Sequence, residues 1–175
     1  PAAILFLIFL NTVNSNAQVT EEWVKMYNHL GNQDISNAVA LDNSGNVYVT
    51  GYTTRTNSNI DYLTIKLNSS GTLKWYKTYN GSGNQEDKAW GIIVDSNENC
   101  YITGTSKSSS SGNDCVTLKY NTAGNVVWTK SFDATMHNND EATCIAMDSN
   151  NDIYIGGYGE FSSGNTDYFL LKYNS

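Results

Sequence analysis

An interval of 53 residues recurs along this chain and limits the folds that are open to it. The residues that recur three times at this interval are Gly51, Gly104 and Gly157; Asp42, Asp95 and Asp148; Lys66, Lys119 and Lys172; and Tyr48, Tyr101 and Tyr154. Tryptophans at positions 23, 75 and 128 keep the interval to within one residue. A repeat of this length is one supersecondary unit that buries its apolar face against its neighbours. We therefore predict three tandem repeats in residues 18–175, at approximately 22–73, 74–126 and 127–175.

Each copy contains four short segments that have the pattern of β-strands. In the second copy these segments are 89–95, 100–105, 115–120 and 127–132. Apolar and polar residues alternate in the third segment, which indicates a strand with one face far more buried than the other. No segment shows a convincing apolar period of about 3.6 residues. Four-stranded units repeated at this spacing are typical of β-propeller blades. The predicted fold is all-β, with four-stranded antiparallel sheets as the blades of an incomplete propeller of about three blades.

These copies resemble a bacterial β-propeller repeat, the SBBP repeat. The first copy reads VALDNSGNVYVTGYT at 39–53 and DYLTIKL at 61–67, and the second and third read IIVDSNENCYITGTS with DCVTLKY and IAMDSNNDIYIGGYG with DYFLLKY. Glu98 and Asn151 depart from the pattern where it has a turn glycine. The resemblance implies a secreted or cell-surface bacterial protein and brings no catalytic residues.

The beginning of the chain has the pattern of an export signal. Residues 2–10 are an unbroken apolar run that is too short to span a bilayer as a helix. Ser15, Asn16 and Ala17 then follow the small-x-small pattern of a cleavage site. We predict that residues 1–17 are a signal peptide, truncated at its start because a methionine and a basic segment are missing. A buried N-terminal strand is the alternative.

The repeated aspartate turns and the three cysteines both favour structural roles. The turns at 42–46, 95–99 and 148–152 begin like calcium loops, but their twelfth positions do not hold the glutamate that closes an EF-hand. We therefore expect hairpin turns in which Asp and Asn bond to backbone amides, with weak calcium binding as the alternative. Cys100 and Cys115 begin adjacent antiparallel strands, which places them ~16 Å apart, beyond disulfide reach. With Cys144, they are predicted to be small buried residues.

The sequence offers little for catalysis. His29 and His137 are not periodic and belong to no recognisable nucleophile motif. Arg55 is the single arginine, which excludes any arginine cluster, and the formal charge of −7 argues against a nucleic-acid partner. We predict a non-enzymatic binding or structural module without catalytic residues, metal or cofactor. A propeller fragment of a larger exported hydrolase or lyase is the alternative.

The predicted topology indicates which face binds a ligand. If the strand that ends at Asp42 is innermost, the long connections 28–37 and 52–61 and their counterparts share one face, whose excess of acidic residues matches the charge of the whole chain. Function is expected on this face, where the copies differ. The candidate ligand-binding residues are Trp90, Arg55, Glu86, Glu141 and Glu160. A neutral glycan, a cation or a basic peptide would suit their negative character.

Three blades are too few to close a propeller, since closed propellers have about four to eight. The chain therefore needs further blades, or association with another copy, to cover its exposed edges. The periodic lysines lie on the face of their strands opposite the apolar residues. We expect them to contact acids or carbonyls of a neighbouring strand or blade, and a solvated row is the alternative.

Overall fold

The computed structural model describes residues 19–29, 31–55, 59–110 and 112–174, and the predicted signal peptide lies outside them. These residues form eleven β-strands and no helix. The strands are β1 Asp34–Leu41, β2 Val47–Thr54, β3 Ile60–Leu67, β4 Leu73–Tyr79, β5 Asp87–Val94, β6 Cys100–Lys107, β7 Asn113–Tyr120, β8 Val126–Phe132, β9 Asp140–Met147, β10 Ile153–Ser162 and β11 Asn165–Tyr173.

The strands form three antiparallel sheets, each a meander of consecutive strands. Blade 1 is β1 to β4 and blade 2 is β5 to β8, whereas blade 3 has the three strands β9 to β11 within the described residues. The prediction of an all-β, incomplete propeller of about three blades is confirmed, although the third sheet has three strands instead of four. Each four-stranded sheet draws its last strand from the start of the following sequence repeat, so blades and repeats are out of step by one strand.

The sheets pack face to face, with β1, β5 and β9 as the innermost strands. β1 contacts β5, and β5 contacts β9. Between blades 1 and 2, the Asn37 side chain donates a hydrogen bond to the Ala89 carbonyl at 2.7 Å. Tyr48 and Tyr62 of blade 1 are buried against an apolar cluster of blade 2 that includes Leu118. These contacts agree with the condition set from the sequence, that the strand ending at Asp42 is innermost.

The repeated aspartates close the tight turns, as predicted. Asp42 Oδ1 accepts hydrogen bonds from the backbone N–H groups of Ser44 and Asn46, both at 2.9 Å, and Asp95 and Asp148 repeat the arrangement. The Tyr48 hydroxyl adds a hydrogen bond to Asp42 Oδ2. Burial alone would raise the pKa of Asp42, but these hydrogen bonds outweigh it and lower the pKa below its usual value.

The cysteines follow the prediction at two of three positions. Cys100 lies opposite Tyr120 and Cys115 lies opposite Thr105, five residue pairs further along the β6–β7 ladder. Both are free and buried, and burial raises the pKa of each thiol to about 12. The prediction that Cys144 is buried is wrong. Cys144 is exposed because no further sheet of the described residues covers the outer face of blade 3.

The connection between β10 and β11 also differs from the prediction. A long loop was expected there, as in blades 1 and 2. Instead both strands extend until only residues 163 and 164 separate them. Gly164 adopts φ +77°, the left-handed conformation that a hairpin turn of this kind uses.

Candidate functional site

Buried aspartates anchor the face that carries the longer loops. Asp87 accepts a hydrogen bond from the Gly81 backbone N–H at 2.7 Å, and Asp140 accepts one from the Ala134 backbone N–H at 2.8 Å. Asp61 is also buried on this face, and burial raises the pKa of all three carboxyls. All three are among the acids that give this face its predicted negative charge, but burial keeps their carboxyl groups away from solvent. The face presents less negative charge to solvent than its sequence suggests.

Three of the five candidate residues line one hollow of about 110 Å³ between blades 2 and 3. They are Glu86, which precedes β5; Trp90, within β5; and Glu141, in β9. The other lining residues are Lys88, Thr105 and Asn113. The structure thus brings together residues that lie up to 55 positions apart in the sequence.

Trp90 reaches the hollow because it is the extra residue of a β-bulge. The register between β5 and β6 shifts between Ala89 and Gly91, which leaves Trp90 without a partner on β6. Its counterparts Asn37 and Thr143 are the bulge residues of the other two blades. Bulges re-aim side chains and are frequent beside functional sites. Trp90 stays 38 % exposed and can therefore offer its ring to a ligand.

The charged groups of the hollow are largely paired with each other. The Lys88 ammonium lies 2.9 Å from Glu86 Oε2, and this hydrogen bond and charge lower the pKa of Glu86. Glu141 accepts one hydrogen bond from the Asn113 amide at 3.2 Å and another from the Tyr158 hydroxyl at 2.7 Å. One lysine against two glutamates leaves the hollow with a formal charge of about −1, counted from ordinary ionisation states.

One polar atom of the hollow is buried and has no hydrogen-bond partner. This atom is the Thr105 hydroxyl oxygen, on a residue that is 7 % exposed. A buried hydroxyl without a partner costs about 1–3 kcal/mol. A ligand group that reached it would recover that hydrogen bond.

Arg55 and Glu160 lie outside the hollow. The Arg55 guanidinium donates to Asp61 Oδ2 at 3.0 Å within blade 1. Glu160, in blade 3, accepts hydrogen bonds from the Asn138 amide at 3.0 Å and the Gly164 backbone N–H at 2.8 Å. The structure therefore does not unite the five candidate residues in one site.

The first copy of the repeat matches a known family. Residues 22–60 match the family model of the beta-propeller repeat SBBP. The chain carries an SBBP beta-propeller repeat. A comparison with curated proteins finds no significant match. The matched residues extend from the segment before β1 to the start of β3, and they confirm the resemblance inferred from the sequence for the first copy.

The hollow is built where the three copies of the repeat differ. Thr105 stands at the position that Tyr52 and Tyr158 occupy in blades 1 and 3, so blade 2 has space where its neighbours have a phenol ring. Trp90 replaces an asparagine and a threonine, and Glu86 replaces a glutamine and an asparagine. Sequence reasoning missed Lys88, Thr105 and Asn113. The threonine at position 105, where the other two copies have tyrosine, was the one feature of the sequence that indicated a hollow here.

The described residues provide few other chemical groups. They contain no group of three or more His, Cys, Asp or Glu side chains that is placed to hold a metal ion. His137 lies 2.7 Å from Asp133 and is exposed, whereas His29 packs beside Tyr76. No helix in the described part of the chain is long and apolar enough to span a membrane.

Proposed function

We propose that this chain is a secreted or cell-surface β-propeller repeat protein that acts as a non-enzymatic binding module, with its ligand in the hollow between blades 2 and 3. The observation that carries the proposal is the departure of all the lining residues from the repeat. Repeated positions are explained by packing between blades. Residues that differ among otherwise similar copies, and that converge in one place, are explained better by a ligand.

The lining favours a neutral, hydroxyl-rich ligand such as a sugar unit of a glycan. Trp90 offers an apolar ring face for stacking. Lys88 and Asn113 supply donors, while Glu141 and the unpartnered Thr105 hydroxyl supply acceptors. Because Lys88 neutralises Glu86, a cationic ligand is less favoured here than the charge of the whole chain suggests. A hollow of about 110 Å³ is well below the usual ~300–1,000 Å³ of small-molecule pockets, which suits a single sugar unit held at its edge.

Two further features support the non-enzymatic and exported parts of the proposal. A general acid needs a raised pKa, but the pKa of Glu86 is lowered by Lys88, and Glu141 already accepts two hydrogen bonds. The apolar run at residues 2–10 with its small-x-small site supports export.

The test is binding of the purified chain to an array of neutral oligosaccharides and, in parallel, to an array of basic peptides. We expect glycan binding that is lost in Trp90→Ala and in Thr105→Tyr. The second variant gives blade 2 the residue of its neighbours, so it fills the hollow with a side chain that this fold already accommodates. Tyr76→Ala is the matched control, because it removes an exposed aromatic ring away from the hollow.

Circular dichroism separates loss of binding from loss of folding. If Trp90→Ala unfolds, Thr105→Tyr still tests the site. Glycan binding that survives Thr105→Tyr unchanged, or binding confined to the basic peptides, would contradict the proposed ligand class.

A further inference from the structure

Blade 3 presents an apolar face and an unpaired strand edge. Tyr168 and Leu170 of β11 are 88 % and 68 % exposed. Their counterparts in blade 2, Cys115 and Thr117, are both buried, and Cys115 belongs to an apolar cluster that blade 2 shares with blade 3. The side of β11 away from β10 has no strand partner among the described residues. This face therefore corresponds to the face of blade 2 that packs on blade 3, but no blade among the described residues covers it.

The N-terminal segment 22–28 lies where a preceding blade would place its outermost strand. A Cβ atom at Gly71 of blade 1 would lie 3.3 Å from the Trp23 ring, just as one at Gly124 of blade 2 would lie 3.0 Å from the Trp75 ring. Trp75 belongs to β4, the outermost strand of blade 1. Tyr27 packs on the apolar cluster of blade 1 that includes Ile65. Segment 22–28 thus sits against blade 1 as β4 sits against blade 2, although it pairs with no strand in the described residues.

The inner part of the same face of blade 1 is uncovered. Val39 and Leu41 of β1 are exposed. In blade 2 the residue equivalent to Val39 is Ile92, which is buried against blade 1. Within the described residues, one end of the arc therefore has a segment in the position of a fourth strand without the other three strands of its blade, and the other end has three strands without a fourth.

We propose that a second copy of this chain completes both ends. Blade 3 of one copy packs on the open face of blade 1 of the other, and segment 22–28 pairs with β11 as the fourth strand. The same contact, made twice about a two-fold axis, closes two arcs of three blades into a ring of six, within the usual range of about four to eight. This inference does not depend on the proposed ligand.

The existing blades fix the register of the new strand pair. Lys66 lies opposite Trp75 and Thr64 opposite Lys77 in blade 1, and Lys119 lies opposite Trp128 in blade 2. By the same register, Lys172 of one copy faces Trp23 of the other, and Leu170 faces Lys25. Their side chains also lie on the same side of the sheet, because Lys25 points to Gly71 of its own blade 1.

Engineered cysteines test this register directly. In a Cys144→Ala background, Lys25→Cys combined with Leu170→Cys should give a disulfide-linked dimer on a non-reducing gel. Val24→Cys with Leu170→Cys is the matched control, since successive residues of a strand point to opposite faces. Equal cross-linking of both pairs, or none in either, overturns the proposed strand pairing.

Light scattering tests the association without cross-linking. The purified chain should have twice the mass of one copy, and Leu170→Glu should reduce it to one. Val126→Glu changes an exposed apolar residue on the outer edge of blade 2 and should leave the dimer intact. The parent chain overturns the proposal if it is a stable monomer at tens of micromolar concentration.

Discussion

Lys66 is predicted to be the strongest ionic link between two blades. Its ammonium lies 2.9 Å from Glu98 Oε2 of the next blade and 3.7 Å from Asp42 Oδ2 of its own blade. It also lies 4.8 Å from the centroid of the Tyr48 ring. The contact to Glu98 confirms, for this lysine, the expected link to a neighbouring blade. Lys66→Met keeps most of the apolar stem and removes the charge.

The loss of stability expected for Lys66→Met depends on how deeply its ion pair with Glu98 is buried. Removing one partner of a fully buried ion pair costs about 3–5 kcal/mol, whereas an exposed pair contributes about 0–1 kcal/mol. The Lys66 side chain is 7 % exposed and that of Glu98 is 35 % exposed, so the pair lies between these limits. We expect Lys66→Met to reduce the free energy of unfolding by about 2–3 kcal/mol, with the lost cation–π contact included.

Lys119 provides the matched control. It lies 4.9 Å from the Tyr101 ring, as Lys66 does from Tyr48, but Asn151 stands where Glu98 would be and carries no charge. Lys119→Met should therefore cost only the cation–π contact, about 0.5–1 kcal/mol. Urea unfolding at one protein concentration measures the loss of stability for each lysine variant. A double-mutant cycle between Lys66→Met and Glu98→Gln measures the coupling energy of the ion pair. Equal losses for the two lysines, or no coupling in the cycle, would refute the reasoning.

Two further predictions concern a turn and a buried carboxyl. Gly124→Ala should cost at least about 1 kcal/mol more than Gly164→Ala in urea unfolding, because both positions have positive φ but only Gly124 meets a tryptophan ring; equal costs would contradict the packing. Burial raises the pKa of Asp87, so the folded chain binds a proton at this carboxyl at a higher pH than the unfolded chain does. The contribution of Asp87 to stability therefore increases as the pH falls from neutral towards 3.8, the ordinary pKa of an aspartate. Asp87→Asn should therefore reduce the gain in unfolding free energy between pH 7 and pH 4.5. An unchanged pH profile of stability would show that the carboxyl does not titrate as argued.

The blade architecture could be predicted from the sequence because its causes are local. Alternation along β7 reports that one side of the strand is buried, whatever covers it. An aspartate followed by amide-bearing residues forms its own hairpin turn, as Asp42 does with Ser44 and Asn46. The distance between Cys100 and Cys115 followed from strand geometry alone.

The candidate site and the open ends depended on contacts between distant residues. Trp90 could be singled out as a departure from the repeat, but its bulge depends on the register of β5 against β6. The hollow exists because Thr105 leaves space that Glu141, from another blade, helps to enclose. Cys144 occupies a buried position of the repeat and is nevertheless exposed. The repeat determines which face of each strand is apolar. Only the packing of one sheet on the next determines which of these apolar faces become buried, because burial needs two surfaces and the sequence of one blade encodes only one of them.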